Sequence, residues 1–187
     1  MAFVVGDRPV RPLTADEVMR MLEAGILDED EPVELLHGVL TKASAKTPQH
    51  EELKMRLVRW LDSTAEGHRI RVEGAFVVPD PTSLPEPDIA VVEPGSYASA
   101  HPSTALLMIE VAVSSLRTDT AIKPALYAAA GVPEFWVVDV AAKRLIVFRE
   151  PTPTGYATET VLTTTDSVEP MRLDVSPLDV GALFEGL

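Results

Sequence analysis

Apolar residues recur along the chain with two different periods, which together predict a domain of mixed helices and strands. Helical spacing predicts one helix that begins at a capping box of Thr14 and Glu17 and ends near Gly25, and a longer one over residues 48–66. Alternating or continuous apolar runs predict strands. These strands cover residues 33–36, 39–41, 69–78, 88–92, 105–113, 135–140, 145–148 and 156–162. The first two are expected to form a hairpin that turns at His37-Gly38.

The remaining segments complete the predicted order of elements. Residues 116–130 are expected to be helical in their second half, and residues 176–184 are expected to form a terminal helix. We interpret residues 1–12 as an N-terminal arm and residues 163–187 as a C-terminal extension of a single domain that spans residues 1–187. The order of the elements predicts an α/β fold with one mixed central β-sheet flanked by helices.

Composition narrows the classes of function. Hydrophobic residues make up 46% of the 187 residues, which is enough for a sizeable core. The net charge of -13 argues against broad electrostatic binding to nucleic acid, although it is compatible with an enzyme whose metal ions neutralise a local acidic site. The absence of cysteine excludes disulfides and fits a cytoplasmic location. No signal peptide or transmembrane run is recognisable.

Two acidic residues stand against apolar runs. Asp88 opens the run Ile-Ala-Val-Val, whereas Glu110 lies inside a run and has Met108 and Ala112 as neighbours on the same strand face. Burying an unpaired carboxylate costs on the order of several kcal/mol, so the pattern at Glu110 favours a paired or metal-bound side chain. Asp88 taken alone is more typical of a strand end. Together the two carboxylates indicate a divalent-metal site of the kind that hydrolyses phosphodiesters.

Other polar residues have ordinary explanations when the residues are considered alone. Lys123 follows Asp119 by four positions, which is the spacing of a surface ion pair on a helix. His50 lies near a predicted helix start, where a surface or capping residue is usual, and Glu34 lies in a β-rich run. We interpret Glu134 as a loop charge.

The segments around these residues resemble a known family. The segments are PEPDIAVV, LLMIEVAVSSLRTD and IKPALYAAAGVPEFWVVD, with VELLHGVL and TPQH upstream. They resemble the putative restriction endonuclease family of the PD-(D/E)XK nuclease superfamily, from about Glu34 to about Phe148. The resemblance implies a restriction-endonuclease-like fold and a metal-dependent endonuclease that hydrolyses DNA phosphodiester bonds with Mg²⁺ or Mn²⁺.

The same resemblance implies roles for particular residues. It implies that Asp88 and Glu110 are catalytic residues and ligands of the metal. The superfamily usually carries a lysine two residues after the second acid, but that position is Ala112 here, and the resemblance implies that Lys123 on the following helix replaces it. It also implies that Glu34 completes the catalytic site and that His50 is an auxiliary residue.

Two other functions stay open at this point. The same fold could serve as a catalytically inactive interaction or regulatory module, which the acidic net charge favours. A carboxylate-pair hydrolase such as a glycosidase is disfavoured, because only 5% of the residues are aromatic and few could stack on sugars. DNA is the expected partner and no membrane partner is expected. A homodimer would be consistent with cleavage of both strands.

Overall fold

The computed structural model describes residues 4–5, 7–28, 30–42, 46–62 and 67–187. Its helices are α1 (Ala15–Glu23), α2 (Pro48–Asp62), α3 (Leu116–Ala121), α4 (Lys123–Ala129) and α5 (Val180–Leu183). Its strands are β1 (Val4–Val5), β2 (Arg8–Pro9), β3 (Val33–Leu36), β4 (Val39–Lys42), β5 (Arg69–Val72), β6 (Ile89–Val92), β7 (Leu107–Ala112), β8 (Glu134–Asp139), β9 (Arg144–Thr152), β10 (Gly155–Leu162), β11 (Ser167–Val168) and β12 (Leu178–Asp179). Among the described residues, no helix has the length and apolar character needed to cross a lipid bilayer.

A six-stranded mixed sheet forms the centre of the domain, in the order β10-β9-β8-β7-β6-β5. Neighbouring strands are antiparallel except β7 and β8, which are parallel and are connected through α3 and α4. This connection follows from geometry, because two parallel strands need a crossover long enough to return the chain to the same edge of the sheet. The predicted mixed central sheet flanked by helices is therefore confirmed.

Helices cover both faces of the central strands, so β6, β7 and β8 are buried along their whole length. On one face, Leu53 and Leu57 of α2 belong to the core cluster that contains Ile109. On the other face, Leu126 and Tyr127 of α4 pack in a second cluster. Burial on two faces explains why these strands are nearly continuous apolar runs in the sequence. It also means that Glu110 points into a covered face.

Local turn chemistry agrees with the sequence at two places. Thr14 caps α1, and its hydroxyl and the Glu17 carboxylate form the reciprocal hydrogen bonds of a capping box. β3 and β4 form the predicted hairpin, with φ of 49° at His37 and 81° at Gly38. Gly38 has no alternative, since a Cβ there would lie 2.2 Å from the Cβ of Pro12.

Three predicted boundaries are wrong. The strand predicted over residues 69–78 ends at Val72, because Glu73 adopts a left-handed φ of 51° and the chain leaves the sheet. Residues 116–130 are helical in both halves, with a break at Ile122 between α3 and α4. The predicted terminal helix is reduced to α5, because β12 occupies the residues before it. Residues 63–66, the predicted end of α2, lie outside the described part.

Glu134 is not the loop charge that the sequence suggested. It is the first residue of β8 and is fully buried. Its Oε1 accepts hydrogen bonds from Trp136 Nε1 at 2.8 Å and from Arg149, whose Nη2 lies 2.6 Å away. Its Oε2 accepts from the backbone amide of Met171 at 2.8 Å. The carboxylate therefore joins β8 and β9 to the C-terminal segment.

Candidate active site

Acidic side chains from several segments line a cavity of about 310 Å³ beside β3, β7 and the start of β6. Its charged lining consists of Asp30, Glu31, Glu34, Glu73, Glu86, Asp88, Glu110 and Asp119, together with Lys46, His50 and Lys123. Eight carboxylates thus face two lysines and one imidazole. So many carboxylates in one cavity require cations or protons to keep their mutual repulsion tolerable.

Asp88 lies immediately before β6 and is fixed from two directions. Its Oδ2 accepts a hydrogen bond from the backbone amide of Val111 at 2.7 Å. Its Oδ1 lies 3.0 Å from Nε2 of His50. The first bond ties the carboxylate to β7, next to Glu110, and the second ties it to α2. The side chain keeps 15% exposure and so remains open to the cavity.

Glu110 occupies the middle of β7 and is only 3% exposed. Its Oε1 accepts hydrogen bonds from Lys123 Nζ at 2.9 Å and from the hydroxyl of Tyr127 at 2.8 Å. Burial raises the pKa of Glu110 well above its usual range, while the Lys123 ammonium opposes that rise. The pKa of Tyr127 is raised as well, chiefly by burial, so its hydroxyl keeps the proton that it donates.

Lys123 begins α4 and lies among three carboxylates. Its Nζ is 2.9 Å from Glu110, 3.2 Å from Oε2 of Glu34 and 3.5 Å from Oδ1 of Asp119. The side chain is 4% exposed, so its interpretation as a surface residue is wrong. Burial alone would lower the pKa of Lys123, but the carboxylates of Glu110, Glu34 and Asp119 outweigh it and raise that pKa above the ordinary value. The ammonium is therefore permanently charged at neutral pH.

His50 lies in the first turn of α2 and is buried, which corrects its interpretation as a surface or capping residue. Its Nδ1 is 3.2 Å from Oε1 of Glu51, opposite the contact between Nε2 and Asp88. The hydrogen bond to Asp88 raises the pKa of His50, although burial acts in the other direction. The ring thus positions the Asp88 carboxylate from the side opposite β7.

Glu73 and Lys54 form a second charged group at the rim of the cavity. Lys54 is buried and its Nζ contacts Glu73 and, at 2.8 Å, Glu51. Lys46 also binds Glu73, with 2.8 Å between Nζ and Oε2. Burial raises the pKa of Glu73, but the two lysines outweigh it and the pKa is lowered. Glu73 is thus an ionised carboxylate whose charge is already neutralised.

Asp119 and Tyr127 contact predicted site residues but were not themselves predicted to belong to the site. Asp119 was considered only as a surface partner of Lys123, and Tyr127 was not considered. Both contact the site because Asp119, Lys123 and Tyr127 follow one another at intervals of four residues, which places them on one helical face. This spacing was the available signal. No comparable pattern in the sequence indicates that this face turns inward, since α3 and α4 are short and separated by a break.

The donor chemistry of the cavity fits a divalent cation. Asp88 and Glu110 offer carboxylate oxygens, which are the ligands that Mg²⁺ and Mn²⁺ prefer. Oδ1 of Asp119 is buried and accepts no hydrogen bond within the described part of the chain, although Nζ of Lys123 lies 3.5 Å away, so this oxygen could serve as a further ligand. Across the same residues, however, no three carboxylates or imidazoles are already arranged as a ligand set. Instead, the ammonium of Lys123 bridges Glu34, Glu110 and Asp119.

Comparison with known proteins agrees with this fold and shows the family to which the chain belongs. The family model described as Uma2, putative restriction endonuclease, matches residues 15–180. Among solved structures, the chain is similar to a putative nuclease belonging to DUF820 from Anabaena variabilis ATCC 29413. The two share 19% identity with a TM-score of 0.74, over 92% of this chain and 98% of the other. At this identity the likeness concerns the fold. No curated protein gave a significant match.

Proposed function

Because the chain belongs to the Uma2 family of putative restriction endonucleases, we propose that it is a metal-dependent endonuclease that hydrolyses DNA phosphodiester bonds. The observation that carries the proposal is the buried ammonium of Lys123, which lies 2.9 Å from Glu110 in a cavity that Asp88 also lines. A fixed positive charge can stabilise the negative charge that develops on the phosphate in the transition state of phosphodiester hydrolysis. The family and its nuclease fold support the coarser statement that the chain is a nuclease.

Asp88 and Glu110 would hold the metal in this proposal, with Glu34 adding a ligand directly or through water. When bound, Mg²⁺ or Mn²⁺ would polarise the scissile phosphate and lower the pKa of a water molecule. The backbone amide of Val111 and the ring of His50 hold the Asp88 carboxylate in place before substrate arrives. Such prior positioning is what a reactive geometry requires.

Lys123 would act as an electrostatic group in the transition state. Its raised pKa keeps the ammonium protonated, so it donates hydrogen bonds to the phosphate oxygens and does not accept the proton of the attacking water. Tyr127 donates to the same oxygen of Glu110 as Lys123 does and so helps to hold that carboxylate beside Lys123. Within this proposal the proton of the water leaves by another route, through solvent or the substrate phosphate.

Cleavage of a supercoiled plasmid tests the proposal directly. The wild-type protein should nick or linearise the plasmid with Mg²⁺ or Mn²⁺ and should be inactive in EDTA. Asp88→Asn should abolish cleavage, whereas Asp174→Asn, which removes an exposed carboxylate outside the cavity, should cleave at the wild-type rate. Wild-type cleavage by the Asp88→Asn protein would show that the site is elsewhere.

A catalytically inactive interaction or regulatory module is the second candidate. Two observations favour it: the net charge of -13, and the ammonium of Lys123, which already bridges three carboxylates. Titration calorimetry with Mn²⁺ separates the two candidates. An endonuclease should release or absorb heat on binding Mn²⁺, and the Asp88→Asn substitution should weaken that binding. An inactive module should show no heat of Mn²⁺ binding.

A further inference from the structure

Two arginines lie on β5, the edge strand beside the strand that follows Asp88. Arg71 is paired with Ala90 of β6, and Arg69 is paired with Val92. The same register continues beyond the sheet, since the amide of Glu73 donates to the carbonyl of Asp88 at 3.2 Å. Two residues along a strand cover about 7 Å, so the Arg71 backbone lies about 7 Å, and that of Arg69 about 14 Å, beyond the level of Asp88.

The two arginines share the sheet face of the candidate active site. Directly paired residues point to the same face, and every second residue of a strand does so as well. Ala90, the partner of Arg71, belongs to the core cluster on the α4 side of the sheet, and so do Met108 and Ala112, which flank Glu110. Arg69 and Arg71 therefore lie on the same sheet face as Glu110, farther along the edge strand from the level of Asp88.

Both guanidinium groups are held in place by one loop. The Tyr97 ring centroid is 5.5 Å from Cζ of Arg71 and 5.9 Å from Cζ of Arg69, within the range of cation–π attraction. The Tyr97 hydroxyl donates to the Glu93 carbonyl at 2.9 Å, and Arg69 Nη1 donates to the Gly95 carbonyl at 2.9 Å. The ring, the loop and the strand thus fix the arginines before any ligand binds.

Arg71 also packs against a glycine. A Cβ at Gly74 would lie 2.9 Å from Nη2 of Arg71, so the guanidinium occupies the space that any side chain at position 74 would need. Gly74 follows Glu73, which lines the cavity. The guanidinium group of Arg71 therefore lies toward the end of β5 that is nearer the cavity. Nε of Arg71 is buried and has no hydrogen-bond acceptor among the described residues.

Neither arginine is neutralised. In the described ranges, no carboxylate lies within 4.0 Å of Arg69 or Arg71, whereas Lys54, Lys123 and Arg149 each contact at least one. In a chain with a net charge of -13, two guanidinium groups that are fixed by an aromatic ring and left without a counter-charge are available to bind an anionic ligand.

We propose that Arg69 and Arg71, supported by Tyr97, bind the phosphate backbone of the DNA strand whose scissile phosphate lies at Asp88 and Glu110. This inference rests on the proposed function. A guanidinium binds phosphate oxygens through two parallel hydrogen bonds, and such contacts position a strand without reading its bases. A short basic track beside the cavity allows an acidic protein to hold DNA without a broad basic surface.

Salt-dependent binding of a fluorescent single-stranded oligonucleotide tests the proposal, with the full chain kept in EDTA to prevent cleavage. Arg69→Gln and Arg71→Gln should each weaken binding about fivefold at ~0.1 M salt and lower the slope of log K against log salt by about 0.7. Arg172→Gln removes the same charge from an exposed position of the C-terminal segment and should change neither quantity. Arg69→Lys and Arg71→Lys keep the charge and should largely retain the wild-type slope.

The outcomes separate this inference from the function on which it rests. If the wild-type protein binds DNA and the Arg69→Gln and Arg71→Gln variants have the same affinity and slope as Arg172→Gln, the proposed role of Arg69 and Arg71 is overturned. The nuclease proposal would still stand. Lys variants that lose as much slope as the Gln variants would also overturn the role of the arginines, since packing would then be the cause. Wild-type protein that neither binds nor cleaves DNA would overturn both proposals. Urea unfolding of each variant verifies that the compared proteins are folded.

Discussion

Replacing Lys123 with methionine would remove the cation that Glu34, Glu110 and Asp119 share. Methionine fills most of the volume of the lysine stem, so the change is mainly one of charge. Breaking a buried ion pair by removing one partner costs about 3–5 kcal/mol, because the remaining charge is left without compensation. Glu110 and Asp119, which are 3% and 1% exposed, would both lose this compensation.

Protonation of Glu110 limits this cost. A carboxylate whose pKa is about 4.3 in the unfolded chain takes up a proton at a cost of about 1.4 kcal/mol per pH unit above that value. The part of the loss that comes from Glu110 should therefore be at most about 3–4 kcal/mol at pH 7 and at most about 1 kcal/mol at pH 5. The direction of this pH dependence follows from burial, which raises the pKa of Glu110 in the folded state. The folded variant then binds a proton that the unfolded chain lacks, so its stability falls as pH rises.

Urea unfolding followed by circular dichroism at pH 5 and pH 7 measures both values. Lys42→Met is the matched control, because Lys42 is exposed at the end of β4 and should change stability little at either pH. The double variant Glu110→Gln with Lys123→Met should remove the part of the pH-dependent loss that comes from Glu110. A loss of equal size at both pH values, or a loss below about 1 kcal/mol at pH 7, would refute the reasoning that a charge is left unpaired.

Three further predictions concern residues outside the cavity. Glu134→Ala should destabilise the domain by about 3–5 kcal/mol in urea unfolding, because the Arg149 guanidinium and two N–H donors lose their acceptor; wild-type stability would contradict the role given to that carboxylate. Thr14→Ala should cost about 0.5–2 kcal/mol through loss of the α1 cap, measured in the same way, and an unchanged midpoint would argue against the cap. Gly38→Ala should lower the melting temperature, since its φ is 81° and a Cβ would meet Pro12; a rise would contradict that geometry.

The central strands and the caps could be predicted from sequence because short-range physics determines them. The apolar runs of β6 and β7 were recognisable because burial on two faces removes polar residues. The capping box at Thr14 and Glu17 depends only on residues three apart. Glu110 could be singled out because a carboxylate among apolar residues needs a partner, even though the partner could not be identified from the strand itself.

The burial of Lys123 and His50 could not be predicted because it depends on tertiary packing. Both residues lie at helix starts, where exposed polar side chains are common. Lys123 turns inward because α3 and α4 return the chain over the sheet face that carries Glu110. The prediction that the strand continues past Val72 was wrong for a similar reason. The left-handed φ of Glu73 accompanies contacts with Lys46 and Lys54, which are remote in sequence.

The hydrogen bond from the Val111 amide to Asp88 makes the position of that carboxylate largely independent of the side chain at 111. Every amino acid except proline supplies the same backbone donor. Val111 is buried in the core, but any substitution that the core tolerates there keeps the anchor of the carboxylate, unless it introduces proline. Val111→Pro is the single replacement that would remove the donor, and it would also break the hydrogen bonding of a central strand. One contact of the candidate site is thus protected from sequence drift by the chemistry of the main chain.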